Sequence, residues 1–307
     1  MSDRPIHRKC PVCDGSDIVP FNQKVEMWLV RCRTCSAFFV SPIPPEIATG
    51  EFYDRLSVPF YLSPGKLESD YAPVRFTREL KLFRRFCPSG DVLDVGCSTG
   101  AFLYQLKTRF PGQYTVTGND VAQTALDHAQ SRGVEMIRGP FPAYDFGGRQ
   151  FDAITFWAVL EHLPHPRAFL AKAAEILKPG GHCFVLVPNL NSLAVMVLGT
   201  NYRYIMPDHI NYFTAGTLRR MAQRVDGLER IYRTTSHFNP IVIWRDWGNE
   251  DKRVSDEERV QLLQRTTRYK QNPWLTPAKW AYNGVELLLA KIGLADNLVM
   301  VFRKTAG

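Results

Sequence analysis

Apolar positions fall into two rhythms along this chain. Short runs rich in β-branched and aromatic residues recur: VLDV at 92–95, YTVTGN at 114–119, VEMIRG at 134–139, FDAITFW at 151–157 and HCFVLVPN at 182–189. Between them, apolar residues recur at helical spacing over 100–109, 121–132 and 167–177. Pro111-Gly112, Gly133 and the Lys-Pro-Gly-Gly run at 178–181 read as stops. Strands that alternate with helices at this interval predict a parallel sheet covered on both faces. Segments 228–236 and 297–303 read as the last two strands. The expected architecture is α/β, a doubly wound, mostly parallel seven-stranded sheet with its ligand at the carboxyl ends of the strands.

The flanking segments depart from this alternation. Residues 1–45 form a separate unit in which two cysteine pairs frame KVEMWLVRC, a stretch that alternates like a strand; SPIPPE at 41–46 reads as a stiff linker. Residues 46–85 carry a helical pattern rich in Tyr and Arg, and 86–307 hold the alternating domain. Two insertions are expected in it, at about 190–215 and 239–296; the second contains Trp244, Trp247, Trp274 and Trp280, read as the core of a small helical lobe. The basic residues of helix 73–86 read as a solvated face.

Composition narrows the function classes. No apolar run is long enough to cross a bilayer, since Glu286, Lys291 and Asp296 break the best one, and MSDRPIHRKC is not a secretory signal. A cytoplasmic protein is expected. Seven dispersed cysteines argue against a disulfide scaffold. A net charge of +8 permits nucleic acid or another anionic partner without demanding one.

Cys10 and Cys13 are separated by two residues, as are Cys32 and Cys35, and eighteen residues part the pairs. Two Cys-x2-Cys turns aim four sulfurs at one ion and close its shell, so the expected metal is a structural Zn2+ in a ribbon. So short a unit has too little core to fold unaided, and metal binding supplies the missing free energy. Cys87 and Cys183 read as buried small residues.

VLDVGCSTGAFL at 92–103 runs from a strand through a glycine-flanked turn into a helix, which suits a nucleotide-like ligand. The glycine spacing differs from G-x-G-x-x-G, and Asp94 would repel a pyrophosphate. A carboxylate there suits the ammonium and sulfonium of S-adenosylmethionine. Asp120, at the end of the next strand, is placed to accept both ribose hydroxyls.

These runs, together with GNDVAQTAL and FDAITFWAVLEHLPHPRAFLAKAAEILKPGGHCFVLVPN, resemble class I S-adenosylmethionine-dependent methyltransferases over about residues 86–190. The resemblance implies a Rossmann-like fold and a set of cofactor contacts. Asp94, Gly96, Cys97 and Gly100 would face the methionine part, and Asp120 with Val121 the ribose. Gly139, Pro140 and Phe141 would pack near adenine, and Phe156, Trp157 and Val159 would line the sulfonium side. Two departures stand out: Gly-Pro-Phe replaces the acid usual in the adenine loop, and the third glycine of the common turn is absent. The ribbon and the stretch PNLNSLAVMVLGTNYRYIMPDHINYFT resemble a bacterial subgroup tied to glycan and natural-product pathways.

An alcohol acceptor must lose its proton during methyl transfer, and a histidine is suited to help. His162, His165 and His209 are the candidate bases; His209, after the fifth strand, is favoured, and it serves equally well as a pin for the lid loop, while Tyr212 would orient the acceptor or join the core. Glu161 and His162 read as braces of the loop after the fourth strand, and Asp208 as a possible holder of a histidine tautomer. One of Tyr53, Tyr61 and Tyr71 would cover the cofactor. The expected activity is O-methylation of a small-molecule acceptor, a sugar, glycan precursor or natural product. The alternative is an rRNA or tRNA methyltransferase that recognises RNA through the ribbon; FWAVLEH in place of an Asn/Asp-Pro-Pro-Tyr run counts against it. A homodimer is compatible with the sequence.

Overall fold

The computed structural model describes residues 5–306 apart from 25, 249–254, 273 and 275, so part of the second insertion lies outside the described residues. The strands are β1 (Ile18–Lys24), β2 (Met27–Cys32), β3 (Phe38–Val40), β4 (Gly90–Val95), β5 (Tyr114–Asp120), β6 (Glu135–Arg138), β7 (Phe151–Trp157), β8 (Leu177–Pro188), β9 (Asn211–Tyr212), β10 (Leu228–Ser236) and β11 (Asn297–Lys304). Helices α1 (Pro45–Thr49), α2 (Glu51–Leu56), α3 (Pro64–Asp70) and α4 (Thr77–Phe86) precede the large sheet. Helices α5 (Ala101–Arg109), α6 (Gln123–Ser131) and α7 (Pro166–Ile176) follow their strands. Helix α8 (Leu193–Leu198) lies in the first insertion and α9 (Ala215–Ala222) follows it. The second insertion holds α10 (Pro240–Asp246), α11 (Asp256–Gln271) and α12 (Thr276–Ile292).

The large sheet has seven strands in the order β10-β11-β8-β7-β4-β5-β6. β4 pairs in parallel with β5 and β7, and only β11 runs against its neighbours. The chain moves outward from β4 through β5 to β6, then returns to the other side of β4 for β7 and β8. The crevice beyond the carboxyl ends of β4 and β7 is thus a topological switch point, where open α/β sheets bind ligands. The sheet's central strands are continuous apolar runs because both faces are covered: Leu93, Ile154, Phe156, Phe184 and Val185 are fully buried. Lys178–Gly181 proves to be a bulge inside β8 rather than a loop, since Phe151 pairs with Leu177 while Ala153 pairs with His182.

A second, antiparallel sheet joins β1, β2 and β3 of the ribbon to β9. The ribbon is therefore not a separate unit. Val12, Val30 and Phe39 share one apolar core with Phe141, Phe156, Phe213 and Leu218.

The second insertion departs from expectation. Trp244, Trp247, Trp274 and Trp280 are 79%, 68%, 89% and 74% exposed, so they do not form the core of a lobe. Buried packing there uses Phe238, Val242 and Leu289 instead. The basic face of α4 is also partly used: Arg78 ion-pairs with Glu286 on α12, and the Arg84 guanidinium lies 3.8 Å over the Phe110 ring. No helix among the described residues is long and apolar enough to cross a membrane.

Candidate active site

The register of the sheet builds the donor side of the site. Asp94 stands opposite Gly118 on β5 and Thr155 on β7. Its carboxylate is buried and accepts one bond, from the Thr155 hydroxyl at 2.6 Å. Burial pushes its pKa up to about 7, and the nearby Asp120 adds to the shift. Such a group is poised to gain a cationic partner.

The turn after β4 is sewn to the end of β5. The N–H groups of Gly96 and Cys97 donate to the Asn119 carbonyl at 2.8 and 3.1 Å. Gly96 has φ +68, and a Cβ there would lie 2.7 Å from Val159. That space is the close backbone approach for which glycine is needed. Ser98 takes the place of the missing glycine and adopts φ +50, with its N–H bonded to Asp120 Oδ2 at 2.8 Å. Tyr71 donates its hydroxyl to the Thr99 carbonyl at 2.5 Å, so it braces this turn rather than covering a cofactor.

Asp120 also accepts from the N–H groups of Val121 and Ala122 at 2.7 and 3.1 Å. Three of its roughly four acceptor positions are occupied, which leaves Oδ2 one lone pair for a ribose hydroxyl. The expectation that it takes both hydroxyls is corrected on that ground. The Ser98 hydroxyl and the Trp157 indole N–H are buried without a partner, so polar groups remain to receive a ligand. Gly100, with φ +70, lets α5 approach Ala129 of α6, a packing role.

Two aromatic side chains of the expected cofactor set lie in the core. Phe141 and Phe156 are fully buried, with ring centroids 6.0 Å apart and the Phe169 ring tilted by 34° against Phe141. They form core, because residues on the inward face of β7 and the turn after β6 point into the layer beneath the sheet. Pro140 is exposed at the rim, and Gly139 is held to Asp120 through its N–H. Cys97 is buried against Gly118.

The four ribbon sulfurs lie within 4.8 Å of one another, with Cys10 and Cys35 at 3.4 Å and Cys13 and Cys32 at 3.6 Å. A tetrahedral zinc with bonds of about 2.3 Å spaces its sulfurs at about 3.8 Å, so the group fits zinc. Asp14 and Ser36, each just after a pair, take positive φ and donate their N–H to Cys10 and Cys32. The two knuckles are therefore equivalent turns.

On the acceptor side, β9 brings His209 against the loop after β7. Ile210 donates to the Glu161 carbonyl at 2.8 Å. The Asn211 amide donates to the carbonyls of Leu160 and Leu163 at 2.8 and 2.7 Å and accepts from Arg8 at 2.8 Å. Arg8 also donates to the Pro164 carbonyl at 2.8 Å, so the ribbon itself braces this loop. The His162 and His209 rings then meet edge to face at 4.6 Å, with Tyr53 against His162 and Tyr204 parallel to His209. Burial holds His209 down at about 3 and lifts Glu161 to about 8, so both are neutral at pH 7. Tyr53 meets the His162 ring edge to face at 5.6 Å, and its buried hydroxyl has no partner.

In the sequence His162 is among the candidate bases, and with Glu161 it reads chiefly as a brace; the signal is their adjacency in VLEHLPHP. Asp208 does hold a tautomer, but that of His162, through its backbone carbonyl at 2.8 Å. Of the two roles open to Tyr212, the structure places it in the core. Its ring packs with Met27, Leu29 and Ile210, and its hydroxyl reaches only the Met206 carbonyl at 3.4 Å.

The methyltransferase domain family matches residues 70–227, half of the chain. A ubiquinone biosynthesis O-methyltransferase from Aeromonas salmonicida is 31% identical over 164 residues, covering 49% of this chain and 67% of that protein. One from Dinoroseobacter shibae is 29% identical over 177 residues, covering 53% and 69%. Among solved structures, a SAM-dependent methyltransferase from Thermotoga maritima shares the fold, with a TM-score of 0.54, 16% identity, and coverage of 83% of this chain and 99% of that one. With the strand order, the acids at the tips of β4 and β5 and the family match in hand, the chain belongs to the class I S-adenosylmethionine-dependent methyltransferases.

Proposed function

We propose that this enzyme moves the methyl group of S-adenosylmethionine to a hydroxyl of a small-molecule acceptor, a sugar, glycan precursor or natural product. The observation that carries the reading is the cluster of Glu161, His162 and His209, buried with unpartnered polar atoms. The relatives named for O-methylation support the choice of oxygen.

Asp94 would take the donor's ammonium, Asp120 a ribose hydroxyl, and the Gly96 turn the close approach of the amino-acid part. Bound there, the cofactor supplies an electrophilic methyl carbon. Tyr53 and Tyr204 wall the acceptor in, and His209 Nδ1 is free to receive the hydrogen bond of its hydroxyl. Alignment and exclusion of water are the main contributions the protein makes to such a displacement. The ribbon acts as a brace: Arg8 is committed to carbonyls and to Asn211 rather than to an external anion.

The test is incubation of the full chain with S-adenosylmethionine and a panel of hydroxylated acceptors that includes sugar nucleotides, read by product mass and S-adenosylhomocysteine release. An O-methyl ether is expected. His209→Ala is expected to lower turnover about 100-fold or more while cofactor affinity persists. Methylation confined to nitrogen, carbon or RNA would overturn the reading.

A further inference from the structure

The buried cluster on the proposed acceptor side has the composition of a metal site. Glu161 is 1% exposed, and neither carboxylate oxygen has a hydrogen-bond partner. His209 is 5% exposed, and its Nδ1 has none. Buried polar atoms are nearly always satisfied, so three orphans in one wall point to a ligand. His162 completes the set. Its Nδ1 lies 2.8 Å from the Asp208 carbonyl, which can only accept, so Nδ1 carries the proton. Nε2 therefore keeps its lone pair, and it stands 4.0 Å from Glu161 Oε1. An outer hydrogen bond that fixes the tautomer in this way is the usual companion of a metal-binding imidazole.

We infer that Glu161, His162 and His209 bind a divalent first-row transition metal ion that holds and acidifies the acceptor hydroxyl. One ligand atom from each residue falls within a span of 4.8 Å. Bonds of about 2.1 Å tolerate ligand separations of about 3 to 4.2 Å, so a shift of roughly half an ångström closes the shell. Two imidazoles and one carboxylate suit Mn2+, Fe2+, Co2+ or Zn2+ and leave positions open for substrate. The backbone holds the ligands in place: Ile210 bonds to the Glu161 carbonyl, His162 N–H to Val159 at 2.9 Å, and His209 N–H to Met206 at 3.0 Å. Arg259 is the nearby cation, and it is engaged with Asp256 and the face of Phe60.

The inference rests on the hydroxyl-transfer reading and changes one role in it. The ion, rather than His209, draws the hydroxyl proton toward solvent. The oxygen lone pair then forms the O–CH3 bond, the S–CH3 bond breaks, and its electron pair stays on sulfur. Val159 packs on Gly96 two residues before Glu161, so the oxygen would sit beside the donor.

The experiment titrates Mn2+ into the full chain, washed with chelator, and follows it by electron paramagnetic resonance. Mn2+ is a poor match for the four thiolates of the ribbon, so its signal reports the second site. One bound Mn2+ is expected. Glu161→Gln and His162→Gln should each weaken it about 10-fold or more, with S-adenosylhomocysteine binding retained as the check on folding. No Mn2+ bound by the wild-type chain, or unchanged affinity in both variants, overturns the site. Product mass is scored separately: an O-methyl ether formed without any Mn2+ signal removes the ion and keeps the transfer reading. Bound Mn2+ with methylation only at nitrogen or carbon removes the transfer reading and the ion's part in it.

Discussion

Ile210 donates its backbone N–H to the Glu161 carbonyl at 2.8 Å, and this bond joins the loop after β7 to the segment that enters β9. The two stretches are far apart in sequence, and the proposed acceptor wall is assembled only where they meet. Because β9 is also the fourth strand of the ribbon sheet, ribbon, loop and wall form one mechanical unit.

Asn211 is the side chain that ties this unit together, with two carbonyls and Arg8 on its amide. Asn211→Ala leaves those buried groups unpaired, at a cost of about 2 to 4 kcal/mol. A melting temperature several degrees lower is expected in a thermal scan, together with lower turnover. Unchanged turnover would show that the loop holds its place without it.

The ribbon core is continuous with the main core, so zinc stability should be felt across the whole molecule. Cys10→Ser, or removal of zinc by chelation, is expected to lower the melting temperature of the main transition in calorimetry. A separate early transition with the main one unmoved would contradict the shared core.

Asp94 makes stability depend on pH. Its folded pKa of about 7 lies above the unfolded value, so the folded state binds more protons in between. Stability is therefore highest below about pH 4 and falls as pH rises toward 7, by up to roughly 4 kcal/mol for this one group. Asp94→Asn is expected to melt higher than the wild type at pH 8, the gap narrowing toward pH 4. The same variant should lose S-adenosylmethionine binding in calorimetry at pH 8. A variant that still binds the donor would remove Asp94 from the cradle.

Gly96→Ala puts a methyl at 2.7 Å from Val159 in a left-handed backbone position. Donor affinity is expected to fall about 10-fold or more, in line with a strain of 1–2 kcal/mol plus the clash. Adding Val159→Ala should return part of it, read by the same calorimetric titration. No return would mean that strain, not the clash, dominates.

Tyr212→Phe removes a hydroxyl whose only partner is 3.4 Å away. Turnover within about two-fold of the wild type is expected, since a bond that long contributes little. A large loss would restore Tyr212 to the site.

The sequence by itself determined the sheet, the cysteine quartet and the glycine turn between two acid-tipped strands. Each is written in local signals: apolar runs of strand length, paired cysteines at knuckle spacing, and a glycine turn between a strand and a helix. Segment 228–236 matches β10 throughout, and Asp94 and Asp120 fall at strand ends because those strands end where their apolar runs do. The tertiary structure alone assembled the Glu161, His162 and His209 cluster of the proposed acceptor side. Phe141 and Phe156 face inward, and the four tryptophans stay outside, because orientation depends on which surface a neighbouring element covers. Glu161 and His162 became a wall with His209 through β9, a pairing between segments with no shared pattern in sequence. Burial then set their protonation, and burial is a property of the packed whole rather than of any one stretch.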